Sequence, residues 1–347
     1  MASLQVADIA DLVTSTLADL GRMRWTEAAT DLQEFVAFGS LINTGRITMG
    51  SGSAVTWNVR LAQIAAGNAK HLGMFEVDVV NVGEGLKTAT APWRHATSGW
   101  AFDKREPSMN KNPAMIVDLI KSRRVEATVD LAEEIEDKFW ADNAGESSDA
   151  PLGVKTWIVR GGATTTFGFN GGNPTNYSGG VGGLNSTTFP RWANGNYRYT
   201  TVNKTDLIAG WREAFVKTKF KSPVAVSTYN TGDRYAFYTN YSVLGTLETV
   251  LESQNESLGT DVASMDGNVV MRKIPVTWVP QLDSDATNPI YGINWGVFKV
   301  AILNGWNLKE TVGIQHGLAH NTVQSHVDLT YQIICYDRRR TFVLDIA

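Results

Sequence analysis

His316 and His320 stand four residues apart, the spacing at which two imidazoles share one helix face and can grip a zinc ion. Gly317 lies between them, and the glutamate that a zinc hydrolase places there as its base is missing, so the pair reads as loop histidines. The remaining histidines, His71, His95 and His326, show no ligand spacing. The run Gly179-Gly-Val-Gly-Gly183 has the suppleness of a phosphate-cradling loop but lacks the Lys-Ser/Thr that would follow it. No Gly-x-Ser-x-Gly elbow offers a nucleophilic serine. Glu133-Glu134 and Glu136-Asp137 are paired carboxylates, but their helical context explains them as a solvated or interfacial face. The sequence therefore gives no catalytic residue, no cofactor-binding residue and no metal ligand, and the expectation is a protein without enzymatic activity.

Three adjacent guanidinium groups, Arg338, Arg339 and Arg340, form the strongest local charge and could approach nucleic-acid phosphates or acidic side chains of another subunit. The net charge of −4 argues against a dedicated nucleic-acid-binding surface, which calls for a basic excess. The lone cysteine, Cys335, sits in the apolar run Tyr331-Gln-Ile-Ile-Cys-Tyr336 and is expected to be a buried, inert thiol. One cysteine builds no disulfide framework, which fits a reducing site of synthesis. The first residues, Met-Ala-Ser-Leu-Gln-Val-Ala-Asp, lack the basic start and apolar core of a secretory leader. No stretch approaches the roughly 18 apolar residues that span a bilayer, so no membrane partner is expected.

The elements that would position these residues follow from periodicity. Ile9, Leu12, Val13, Leu17 and Leu20 predict a short amphipathic helix over 5–20. Partial alternation over 46–61, interrupted at Gly50-Ser-Gly52-Ser, predicts two strands about a turn. Phe75–Val82 and Trp93–Arg105 read as further extended segments. Asn112 and Pro113 are suited to the cap and first position of a helix, and 113–142 holds no glycine and no further proline. Ile116, Ile120, Ala127, Leu131, Ile135 and Phe139 recur at three-, four- or seven-residue steps, predicting a helix of about 28 residues and on the order of 40 Å. Residues 160–199 hold ten of the 32 glycines beside many asparagines and are expected to form a long loop or insertion rather than a packed helix or long central strand. Beyond it come a helix from Asn203 through Leu207, Trp211 and Phe215, a strand over 234–240 and a helix through Leu244, Leu247 and Leu251. Strands are expected at 268–279, 290–303 and 327–336. Mixed elements without regular alternation favour an α+β fold.

This order resembles the major capsid protein of tailed bacteriophages, the Hong Kong 97-type fold. Stretches that look like phage capsid sequence are Thr90-Ala-Pro-Trp-Arg-His95, Tyr229-Asn-Thr-Gly-Asp233, Met265-Asp-Gly267, Asn288-Pro-Ile-Tyr-Gly-Ile-Asn-Trp295 and Asp337-Arg-Arg-Arg-Thr-Phe-Val343. The resemblance implies an N-terminal arm over 1–45, an extended β-hairpin loop over 46–106 and a peripheral domain over 107–202. That domain would carry a spine helix at 112–142 and a Gly/Asn-rich insertion at 160–199. An axial domain at 203–305 and a return to the peripheral domain at 306–347 complete it. It further implies self-assembly as pentamers and hexamers into an icosahedral shell around double-stranded DNA, packaged without sequence specificity. Portal and scaffolding proteins would be partners, the bacterial host cytoplasm the place of assembly, and the virion the final location.

A protruding hairpin cannot bury both faces against its own domain. Trp57, Trp93, Trp100 and Phe102 are therefore expected to meet a neighbouring subunit, with Arg94 and Arg105 pairing across the same boundary. Trp100 in particular is expected to be solvent-accessible in an isolated subunit. Some relatives crosslink a lysine to an asparagine between subunits; Lys70 and Lys87 lie in the loop, but no motif carries that chemistry over. Two other readings stand beside this one: a cellular encapsulin-like shell protein, and a carbohydrate- or ligand-binding module motivated by the 11 tryptophans and the Gly/Asn-rich loop.

Overall fold

The computed structural model describes residues 47–61, 68, 70–78, 80, 83, 85–106, 113–142, 145, 148–162, 165–177, 179–219, 234–255, 269–315 and 321–346. The arm and its helix at 5–20, His316, His320, Asn112, and the stretches 229–233 and 265–267 lie outside them. The chain divides into two compact units, one of Met1–Phe35, His95–Ile135 and Gly305–Leu329, the other of Val36–Arg94, Glu136–Asn304 and Thr330–Ala347.

The larger unit is organised by a seven-stranded sheet. Its strands are β5 (Gly168–Gly171), β6 (Asn194–Tyr199), β7 (Tyr235–Thr239), β8 (Val270–Met271), β9 (Ile274–Trp278), β10 (Ile290–Asn294) and β14 (Phe342–Ile346). They lie in the order β5-β6-β14-β10-β7-β9-β8. β14 runs parallel to β6, and β7 parallel to β9, so the sheet is mixed. One face presents Tyr197, Tyr199, Phe237, Ile290, Phe342 and Leu344 to helices α2 (Leu207–Lys217) and α3 (Tyr241–Asn255). Leu207, Trp211, Ala214 and Phe215 recur every three or four residues and so fall on one stripe of α2, all buried. Each large side chain so buried contributes about 1.5–3 kcal/mol.

In the same unit β1 (Ile47–Gly50) runs parallel to β11 (Phe298–Leu303), and β11 pairs antiparallel with the last residues of β13 (Thr322–Cys335). β2 (Ala54–Arg60) and β3 (Leu86–Pro92) form a two-stranded ribbon in register from Ala54–Pro92 to Arg60–Leu86. Helix α1 (Pro113–Trp140) ends in this unit, where Phe139 stacks on Trp295 and Trp140 meets Tyr238 edge-on. Cys335 is fully buried, and burial pushes its thiol far above the ordinary range, so it behaves as a small apolar group.

The smaller unit contains β4 (Arg94–Asp103) from His95 onward, α1 as far as Ile135, β12 (Lys309–Gln315) and the first part of β13. Ala127, Leu131 and Ile135 are buried at four-residue steps along α1. Arg123 donates to the Ala101 carbonyl and to Glu106, and Arg124 donates to Glu310 at 2.6 Å. Glu136, expected with its acidic neighbours on a solvated or interfacial face, begins the part of α1 that belongs to the larger unit; it is fully buried and accepts a hydrogen bond from the Trp140 indole at 2.7 Å, one helical turn on.

Four further expectations need correction. Among the described residues of 75–82 there is no strand; Phe75 has φ 67° and sits in a turn. The strand at 268–279 is two, β8 and β9, reversed at Arg272-Lys273 with both residues at positive φ. The run 290–303 is likewise split, because Asn294 folds back to accept the Gly296 amide and ends β10 before β11 starts in another sheet. Residues 160–199 do supply a buried strand: β6 lies second in the seven-stranded order. Gly195 is required there because an added Cβ would stand 2.6 Å from the Phe167 ring.

Candidate assembly surface

The residues expected at a subunit boundary separate into buried and exposed groups. Trp57 is buried within its own unit, 6.0 Å from Trp157 and edge-on to Tyr336 at 5.8 Å. Trp100 is 9% exposed and stacks on half-buried Phe102, against the expectation of an accessible indole. Trp93 is half-buried: its indole donates to the Gly52 carbonyl at 2.9 Å, and its ring lies where a side chain at Gly50 would be. The Gly50-Ser-Gly52 interruption is thus the seat of Trp93. Arg94 is half-buried, and exposed Arg105 closes a local fork onto Asp103 at 2.9 and 3.1 Å. Hydrogen bonds from that guanidinium and from the Arg105 amide hold the Asp103 carboxyl down at about 2.

The arginine triplet is also placed differently from expectation. Arg338 is fully buried and donates to the carbonyls of Trp157, Trp192 and Gly172 and to Asn194 Oδ1, all between 2.8 and 3.1 Å. Burial pulls its guanidinium down to about 10, which still leaves it charged at neutral pH. Arg340 is buried beside Asp337, and Arg339 lies half-buried over the Phe169 ring at 4.6 Å. Arg338 and Arg340 are withdrawn from solvent, and Arg338 ties together three stretches of chain, at 157, 172 and 192–194.

The unsatisfied apolar surface lies elsewhere, in the segment that joins β2 to β3. Met74 is 93% exposed and Phe75 101%, and Leu72, Val77, Val80 and Leu86 are exposed beside them. The turn between is closed by Gly73 and Glu76, whose carboxylate accepts the Gly73 amide at 2.9 Å, and Lys70 pairs with Asp78 at 3.2 Å. A phenylalanine held at φ 67° and fully exposed is doubly unfavourable in a lone subunit. Sequence reasoning saw the apolar residues here but assigned them to a strand; the unbroken exposure of 70–78 is what distinguishes them. His71 is exposed in this segment, His95 faces Asp328 at 3.4 Å, and the His326 ring packs on Gly99. Among the described residues no three metal-ligating side chains converge, and no helix is long and apolar enough to cross a membrane.

No protein-family model matches the sequence, and no curated protein matches it by sequence. Solved structures do. The chain superposes on the capsid asymmetric unit of cyanophage A-1(L) with a TM-score of 0.63 at 16% identity, covering 97% of this chain and 99% of that one. The chain has the fold of a phage capsid subunit. The capsid fold is also found in the native GTA particle, whose capsid was computed with C5 symmetry, at TM-score 0.53, 13% identity and 95% and 97% coverage. The holo-SrpI encapsulin complex from Synechococcus elongatus matches at TM-score 0.51, 10% identity and 99% and 96% coverage. At these identities the likeness is one of architecture, and it extends over essentially the whole chain.

Proposed function

We propose that this chain is a major capsid protein that assembles with copies of itself, as pentamers and hexamers, into an icosahedral shell enclosing phage DNA. The near end-to-end superposition on a cyanophage capsid subunit is the observation that carries this reading. The exposed apolar segment Leu72–Val80 supports it, since a second copy of the chain is the partner that a self-assembling subunit has in excess. In this reading 1–45 is the arm, 46–106 the extended loop, 107–202 the peripheral domain with the spine helix at 112–142, 203–305 the axial domain and 306–347 the return. Met74 and Phe75 anchor the contact of the larger unit, where Trp93 and Arg94 also keep exposed atoms, and Phe102 and Arg105 are candidate contacts of the smaller unit. Trp57 and Trp100 are buried, each within its own unit. Portal and scaffolding proteins complete the particle, the host cytoplasm is where it forms, and double-stranded DNA is held without sequence specificity. No step of chemistry is assigned to the chain.

An encapsulin-like cellular shell is the second reading, favoured by the likeness to the SrpI complex. The carbohydrate-binding reading is weakened, because six of the 11 tryptophans, Trp57, Trp140, Trp157, Trp192, Trp211 and Trp295, are buried. Negative-stain microscopy of the purified chain, preceded by size-exclusion chromatography, tests the proposal. Closed shells or capsomer-sized rings are expected; a monomer at every concentration, with and without co-expressed phage proteins, overturns it. Shells that enclose a cellular protein rather than DNA favour the second reading.

A further inference from the structure

The seven-stranded sheet carries, on the face opposite its aromatic core, an acid for which assembly provides no role. The parallel register of β6 and β14 sets Asp345 beside Arg198, with Asn196 two residues earlier on the same face. Asp345 is 0% exposed. Its contact with Arg198 spans 3.5 Å, long for a charge-assisted hydrogen bond. Neither Asp345 oxygen has a hydrogen-bond partner among the described residues, nor has Arg198 Nε or either amide atom of Asn196. Asp285 shows what a satisfied acid looks like in the same unit: Lys155 and Arg160 donate to one oxygen, and Thr287 donates to the other. An ionised carboxylate that has lost water and gained no hydrogen bond from another residue is destabilising where it sits, whereas its neutral acid form is tolerated.

We propose that Asp345 is a proton-binding switch of this sheet, favouring its neutral form where it is buried and losing it as the pH rises, so that the folded subunit is firmest on the acid side. The charged and titratable groups that act on it are Arg198 and Tyr199 of β6, Arg160 after the helical turn Val154–Trp157, Asp285 before β10, and Tyr291 of β10. Burial is the largest influence and raises the carboxyl; Arg198, Arg160 and the residue's own backbone amide pull it back, and Asp285 pushes with burial. The net direction is upward from the ordinary 3.8. A folded-state pKa above the unfolded one means that the stabilisation is full below the unfolded value and is lost as pH rises through the folded value.

Thermal melting of the full chain and of Asp345→Asn, compared from about pH 5 to about pH 8, tests this. The variant is expected to melt above the wild type at the alkaline end, with the gap closing toward the acid end. A variant that melts below the wild type at the alkaline end, or a gap that does not change with pH, overturns the proposal. If Asp345→Asn does not fold, Asp345→Leu, which removes the charge without adding an amide that needs partners, is judged by the same criteria. Failure of both to fold also overturns it, because it would show the ionised carboxylate to be required.

Discussion

The Arg338 clasp and the segment from Lys70 to Val80 are both irregular backbone in the larger unit, and they meet the solvent in opposite ways. At the clasp, a charged side chain is withdrawn from water completely, and three carbonyls and an amide oxygen replace the hydration it lost. In the segment, Met74 and Phe75 stand almost wholly in water, and Leu72, Val77 and Val80 are exposed beside them. The clasp is finished by the chain itself. The described residues leave the segment open to solvent. Loop composition alone does not distinguish the two; what does is whether the chain brings a complementary group to the same place.

The sharpest way to break the comparison is to remove the clasp. Arg338→Ala deletes four hydrogen bonds and leaves the Trp157, Trp192 and Gly172 carbonyls buried without that donor. A loss of at least about 3 kcal/mol in folding stability is expected, because each buried neutral acceptor left without its donor costs about 1–3 kcal/mol. Urea denaturation followed by tryptophan fluorescence measures it. Arg338→Lys should recover only a minor part, because one ammonium cannot span acceptors arranged for a planar fork. A loss under about 1 kcal/mol for the alanine variant would mean that the carbonyls find other donors and that the clasp is not what holds these loops.

A smaller effect is expected at Gly292, which tests the packing of the same unit without touching the clasp. An added Cβ there would meet the Phe342 ring at 2.4 Å, and Phe342 is itself fully buried. Gly292→Ala should cost about 1–3 kcal/mol, the usual range for overpacking a tight core. The same denaturation experiment reads it. Equal stability with the wild type would show that β10 and β14 have slack between them.

Much of this was legible in the sequence. Helix α1 was, because Ala127, Leu131, Ile135 and Phe139 repeat at four-residue steps with no glycine to interrupt them. The burial of Glu136 was not, although Trp140 one turn later was the visible clue to its partner. β6 was hidden because Asn194-Gly-Asn has loop composition, and only the structure shows Asn194 exchanging hydrogen bonds with the Val159 backbone. Three consecutive arginines read as a surface feature because burying a guanidinium needs several converging acceptors, and residues 157, 172, 192 and 194 converge only in the folded chain. The boundary residues were misjudged for the same reason. Large aromatics attract attention in a sequence, but Trp57 finds Trp157 one hundred residues away, while the modest Met74 and Phe75 find nothing.

The smallest expected change in subunit stability, and the largest in association, belongs to the exposed segment. Met74→Ser with Phe75→Ser removes two exposed apolar side chains that touch no core, so folding stability should stay within about 0.5 kcal/mol of the wild type. Phe75→Gly goes further: glycine adopts φ 67° without strain, so relief of the left-handed phenylalanine should offset the chain entropy that glycine adds, leaving stability close to unchanged. If the segment is completed by a second copy, both variants should fold normally and fail to assemble, eluting as small species where the wild type elutes as rings or shells. If they assemble as well as the wild type, the exposed segment is dispensable, and the contrast with the clasp reduces to one between a packed loop and an idle one. If instead they unfold, Met74 and Phe75 contribute to the fold of their own chain, and the surface that joins subunits must be sought among the half-buried residues of β4.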